Sequence, residues 1–177
     1  MTAVPAPQQW LLAALVVAAA VFDVRTHKIP NALNLAGILA GFTAGLALDG
    51  MAGLKRAGLG FALGFGVYFA MYLLRAMGAG DVKLMAAVGS IVGPGNWFAL
   101  FVFTSVLGGI LALGLVIQKG RLSKTLWNVW FLLRDLARLR SPARNPELDV
   151  RSEESVKLEH AVSIALGSMA FLYLSTR

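Results

Sequence analysis

The sequence predicts an all-α, polytopic integral membrane protein of about six transmembrane helices, with a cytoplasmic amphipathic helix in the last long loop. Three observations lead there. Hydrophobic residues make up 58% of the 177-residue chain, and mean hydropathy is +0.71. Soluble domains carry only about 45–50% apolar residues. Charge falls in gaps: residues 1–22, 31–48, 57–74, 84–118 and 161–176 carry none. A spanning helix needs about 20 apolar residues, range about 17–25. These stretches therefore match single crossings, except 84–118, which is too long for one and is broken by Gly93-Pro94-Gly95-Asn96.

Taken in order, the crossings fall at about 6–23, 31–49, 56–75, 77–92, 97–118 and 159–176. The first lacks a positively charged segment before it, so an uncleaved span is expected rather than a signal peptide. Pro30 suits the first turn of the second helix. The fourth is the weakest. Residues 84–92 alone cross about half a bilayer at ~1.5 Å per residue, so a full span requires a helix starting near Gly78, and a re-entrant hairpin competes. Glycines spaced by four, such as Gly37, Gly41 and Gly45, read as ordinary close packing between helices. One membrane domain, residues 1–177, is expected, with a loop over 119–159. Within it, 121–140 interleaves Leu122, Leu126, Trp127, Trp130 and Phe131 with Lys124, Arg134 and Arg138. That composition suits a helix lying at the headgroups of an anionic bilayer, although packing on another protein is the alternative. Residues 141–159, with Pro142, Pro146 and mixed charge, read as a solvated connector.

The net charge of +7 would suggest nucleic acid in a soluble protein. Here the positive-inside rule explains it, and no nucleic-acid partner is expected. With the N-terminus outside, Arg25, Lys28, Arg75, Lys83 and the nine basic residues of 119–157 face the cytoplasm. Lys55, Arg56 and Arg177 face out, a bias of thirteen to three. The chain has no cysteine, which excludes disulfides, thiolate metal ligation and thiol catalysis.

Through residue 118 the acids are Asp23, Asp49 and Asp81. Asp49, beside Gly50 on the outer side, reads as a turn residue. Asp23 closes the first crossing and Asp81 opens the fourth, so both lie on the cytoplasmic side. An ionisable group at membrane depth costs roughly 2.5–3.5 kcal/mol on insertion scales, which makes it a functional-site candidate. Each acid alone has a bland reading. Asp81 can cap the fourth helix after a Gly-rich turn, and Asp23 can pair with Arg25 or Lys28 at a helix end. Together they suggest more. Two carboxylates held close cannot both ionise easily, so one keeps a proton while the other takes one from water. Gly78 and Gly80 remove bulk beside Asp81, leaving room for a peptide backbone. Lys83, two residues on, should point away from Asp81 and reach to the interface. His27 reads as a loop residue. His27 and His160 are the two histidines, and neither lies in an acid cluster in sequence, so no metal and no cofactor is expected.

Asp23 followed by Ile29-Pro30-Asn31, then Gly78-x-Gly80-Asp81-x-Lys83-Leu84, resembles the prepilin peptidases. These are GxGD-type intramembrane aspartic proteases of type IV pilus, type II secretion and Flp/tight-adherence systems. The resemblance spans all six crossings, while the motifs cover about 23–31 and 78–87. It implies that Asp23 and Asp81 are the catalytic aspartates, with Gly78, Gly80, Lys83, Pro30 and Asn31 as supporting motif positions. It implies a substrate, a prepilin or pseudopilin whose short basic leader is cut at the cytoplasmic edge of an N-terminal apolar helix. It also implies a bacterial inner membrane location. Two departures stand out. The paired cysteines of larger members are missing, so N-methyltransferase activity is not expected and the short peptidase-only branch is the better match. A Pro-Tyr-like start to the last crossing is replaced by Glu159-His160, which reads as local drift. Two readings from other classes remain: a small proton-coupled transporter using the aspartates as relays, and a non-catalytic assembly subunit of a pilus or secretion system.

Overall fold

A computed structural model describes residues 4–74, 77–120 and 160–175, together with Trp127, Trp130 and Arg134. The described residues are helical, with no strand among them: α1 Ala6–Thr26, α2 Asn31–Leu73, α3 Ala79–Gln118 and α4 His160–Ser175. The first three are long and apolar enough to cross a membrane, and α4 is a shorter apolar helix. The interfacial helix expected at 121–140 and the connector at 141–159 lie outside the described residues. The exceptions are Trp127, Trp130 and Arg134, which are helical and exposed.

Two of the four helices are folded back on themselves. A straight helix of 43 residues would run ~65 Å, about twice the hydrocarbon core. Instead, α2 breaks at Asp49 (φ −132°, ψ 18°) and Gly50 (φ 56°, ψ −138°). Gly50 supplies the positive φ that other residues rarely adopt. The two limbs, 31–48 and 51–73, run side by side. Phe42 and Phe61 meet with ring centroids 6.1 Å apart, where a straight helix would separate them by ~28 Å. The turn is tighter than the sequence suggests. Helix resumes directly after Gly50, so Lys55 and Arg56 sit inside the second limb rather than in a loop.

In α3 the break is Gly93 (φ 75°, ψ 171°), followed by Pro94. Proline lacks the N–H that helix continuation needs, and glycine accepts the reversed φ. The limbs 79–92 and 94–118 are tied by the Trp97 indole N–H, which donates to the Met85 carbonyl at 3.2 Å. Trp97 stacks on Phe101 (5.4 Å) and meets the edge of buried Tyr68 (6.3 Å).

The limb that looked weakest as a span is the centre of the molecule: residues 84–93 are all buried. Its neighbours come close because they are glycines. A Cβ on Gly60 would run into the Gly89 carbonyl, one on Gly64 into the Met85 carbonyl, and one on Gly41 into Ser90. Lipid tails are as apolar as leucine, so such close van der Waals packing is what holds helices together in a bilayer. Gly37, Gly41 and Gly45 are buried as the packing reading requires, whereas Gly66 meets nothing. Outside this core, Leu35, Leu39, Leu59, Phe98, Val106 and Ile110 are exposed. Apolar surface on that scale does not suit water.

The reversals define two ends. At one, the turns at 49–50 and 93–94 meet the start of α1 around a cavity of about 180 Å³, whose lining includes Gln8, Arg56, Ser90 and Asn96. At the other stand the end of α1, the start of α3 and the start of α4, and this end holds the two aspartates singled out above.

Candidate active site

Asp23 is held at the rim by the way α1 stops. His27 takes a left-handed conformation (φ 51°), and its N–H returns to the Asp23 carbonyl at 2.8 Å. Thr26 Oγ1 donates to the Phe22 carbonyl at 2.8 Å, completing the last turn. The Asp23 side chain crosses to α4, where Oδ2 accepts the Ala161 N–H at 3.2 Å. Ala161 is the second residue of α4, so this N–H has no intrahelical carbonyl to bond. A carboxylate there also meets the positive end of the helix dipole. This replaces the expected partners, Arg25 and Lys28, both of which are exposed.

Asp81 is the third residue of α3, and Gly78, not Asp81, occupies the N-cap. The carboxylate reaches back so that Oδ2 accepts the Gly78 N–H at 3.2 Å. This is the acidic half of a capping box. The capping role therefore exists, one turn later than expected. A Cβ on Gly78 would stand 3.3 Å from Oδ2, so glycine keeps that side of the carboxylate clear. Asp81 lies within range of the charges of Asp23 and His160, and of the Tyr68 hydroxyl from α2. One site thus draws residues from all four helices.

The two sequence motifs are joined directly. Lys83 Nζ donates to Asn31 Oδ1 at 2.8 Å, so the lysine does not simply extend toward the interface as expected. Its stem carries the ammonium across to Asn31, the first residue of α2, whose neutral amide oxygen accepts the hydrogen bond. Asn34, 1% exposed, donates from Nδ2 to the Gly80 carbonyl at 3.4 Å. Gly80 faces Ile29, where an added Cβ would make ordinary contact at 3.5 Å. Pro30 sits at the N-cap of α2 (φ −60°, ψ 133°), one position before the first turn. Residues 29–34 and 78–83 therefore form one knot, with Asp81 on it and Asp23 beside it.

Sequence reasoning passed over three participants. Asn34 carried a signal: it is a polar residue one turn after Asn31 inside an uncharged stretch, and burial demands a partner for it. His160 carried one too, since the alternation of crossings puts the start of the last helix at the same end as Asp23. Tyr68, in the middle of an apolar stretch, carried none.

Helices long and apolar enough to cross a membrane, two of them folded as hairpins, with two acids at one end of the bundle, define a class: an all-helical membrane protein with acidic residues at one end. The model of the type IV leader peptidase family matches residues 10–113, which include Asp23, Pro30, Asn31 and the whole Gly78–Lys83 stretch. The match covers more than half of the chain, and the protein belongs to that family. No curated protein and no solved structure matches the chain.

Proposed function

We propose that the protein is a membrane-embedded aspartic endopeptidase that removes the leader from prepilin-like proteins, with Asp23 and Asp81 as its catalytic pair. The observation that carries this reading is the convergence at one rim: Asp23 and Asp81 share electrostatic range, and a Lys83–Asn31 bridge locks their motifs together. In the reaction, the ionised carboxylate takes a proton from water as the water oxygen attacks the scissile carbonyl. The protonated carboxyl donates to that carbonyl oxygen, giving a gem-diol. Collapse breaks the C–N bond, one proton passes to the leaving amine, and the pair again shares a single proton. A carboxylic acid and an amine result, without a covalent intermediate.

In this reading the six limbs 6–26, 31–48, 51–73, 79–92, 94–118 and 160–175 each cross the bilayer, with the N-terminus outside and the aspartate rim at the cytoplasmic surface of a bacterial inner membrane. The substrate's apolar helix enters from lipid and its leader lies in cytoplasmic water. Anionic headgroups attract the basic segments on that side. Transport is less well supported. A relay from face to face needs a polar path, and the central limb is buried over residues 84–93 among mostly apolar neighbours.

The test is reconstitution in anionic lipid with a prepilin-like peptide, reading leader release by mass. Cleavage by the parent and a loss of about 10³-fold or more in Asp23→Asn and in Asp81→Asn is expected. Cleavage at the parent rate by either variant removes that residue from the mechanism.

A further inference from the structure

We propose that the cavity at the end of the bundle remote from Asp23 and Asp81 is a binding site for the phosphoethanolamine headgroup of a phospholipid. The inference needs only that this end of the bundle meets a headgroup layer, and it stands apart from the peptidase reading.

Three helices line the cavity, whose volume is about 180 Å³, and each brings polar residues to it. Gln8 comes from α1, Asp49 and Arg56 from the reversal of α2, and Ser90 and Asn96 from either side of the Gly93 break in α3. Gln8, Ser90 and Asn96 are 8%, 1% and 5% exposed. Amides and hydroxyls buried to that degree have hydrogen-bond partners as a rule. Yet no hydrogen bond within the described residues uses the Gln8 carboxamide, whereas its neighbour Gln9 donates from Nε2 to the Val4 carbonyl at 2.6 Å. Ser90 Oγ donates to the Ala87 carbonyl at 2.7 Å, which leaves its oxygen able to accept.

Charge selects the ligand. Arg56 and Asp49 line the same cavity and pair through one guanidinium nitrogen and one carboxylate oxygen. Each keeps capacity, since a guanidinium has five N–H donors and a carboxylate has a second oxygen. Because the two charges cancel, a bare anion is repelled by Asp49 and a bare cation by Arg56. A zwitterion avoids both penalties. Its phosphate turns to Arg56 and the Gln8 amide N–H, and its ammonium to Asp49 and Ser90 Oγ. A primary ammonium donates such hydrogen bonds, whereas the trimethylammonium of a choline headgroup has no N–H to give. Size agrees. A cavity of ~150 Å³ holds benzene, and a phosphoethanolamine group is only slightly larger.

The surroundings point to a lipid rather than a free solute. Trp10, two residues past Gln8, is 77% exposed, and tryptophan favours the headgroup level of a bilayer. Leu48 and Met51, which flank the reversal carrying Asp49, are exposed as well. A polar cavity beside exposed apolar side chains suits an amphiphile.

The test uses the purified full-length protein in detergent, stripped of phospholipid, with the affinity for added lipid read from the concentration dependence of the unfolding temperature. Phosphatidylethanolamine is expected to bind about tenfold more tightly than phosphatidylcholine or phosphatidylglycerol with the same acyl chains. Arg56→Gln should weaken that binding about tenfold, and Gln8→Met about threefold. Asp49→Asn should bring the ethanolamine and choline lipids within about twofold of each other. Without lipid, Arg56→Gln should unfold close to the parent, since an exposed ion pair contributes little by itself. Equal binding of the three headgroups by the parent overturns the proposal, as does parent-like binding by both Arg56→Gln and Gln8→Met. Free phosphoethanolamine that matches the lipid at equal concentration overturns the lipid assignment. If Arg56→Gln fails to fold, the headgroup series on the parent and on Gln8→Met still decides.

Discussion

The two ends of the bundle solve the same geometric problem in different ways. Each must reverse helices and hold carboxylate at the edge of an apolar core. At one end Asp49 follows the first limb of α2, and Arg56, one and a half turns into the next limb, pairs with it. Opposite charges meet locally, the pair is about half exposed, and the reversal is fixed by Gly50. At the other end Asp23 and Asp81 receive backbone N–H groups, from Ala161 and Gly78, and lie in range of each other's charge. Lysine is present there, but Lys83 is turned to Asn31. An ion pair quenches a carboxylate, whereas backbone donors orient it and leave its charge available for chemistry. Under the proposed function, the structural acid is neutralised and the reactive acids are aimed.

The largest difference between the ends should appear in paired substitutions. Under one assay, Asp81→Asn should remove leader release by about 10³-fold or more while leaving thermal unfolding nearly unchanged. Asp49→Asn should leave cleavage intact. Equal effects of the two changes would erase the distinction. Next in size is the shared core on which both ends depend. Gly60→Leu forces a side chain into the Gly89 backbone, and overpacking of this kind costs about 1–3 kcal/mol or more. The expected result is a lower unfolding temperature in detergent, with cleavage falling in step with the folded fraction.

Smaller again is the Lys83–Asn31 bridge. Either Asn31→Ala or Lys83→Met should slow cleavage about tenfold, which corresponds to ~1.4 kcal/mol. The double variant should be no worse than the singles, because the two residues act through one bond. Strictly additive losses would show that they act separately. The smallest effect is expected for Arg56→Gln. Exposed ion pairs contribute about 0–1 kcal/mol, so unfolding should shift only slightly and salt should mask the difference.

Much of this was legible in the chain because the signals were local. Uncharged stretches of spanning length announced the helical limbs, and Gly93-Pro94 announced a break. Asp23 and Asp81 stood out because acids are rare among apolar residues. What stayed hidden depended on long-range pairing. Lys83 looked like a solitary interfacial cation because its partner, Asn31, lies 52 residues earlier and belongs to another helix. The fourth limb looked the least secure because 84–92 alone is short and length was weighed without neighbours; the helix does start where a span would require, at Ala79 with Gly78 as its N-cap. Its burial comes from Gly41, Gly60 and Gly64 on the facing limbs, which only the folded chain brings together. The turn of α2 was read at its right start, Asp49-Gly50, but carried too far, to Lys55, because charge marked its end, whereas Gly50 sets the whole reversal by backbone geometry. The start of the last helix looked like drift because the contact that matters there, the Ala161 N–H with Asp23, joins residues 138 positions apart.

The central claim is that Asp23 and Asp81 act as a single hydrolytic unit. Its most direct measurement is leader release by Asp23→Asn, Asp81→Asn and the protein carrying both changes, each shown to be folded in lipid. Members of one catalytic unit are not additive, so the double variant should be as inactive as either single variant and no more. Losses that multiply, or a single variant that still cleaves at the parent rate, would show that the two carboxylates do not share one reaction.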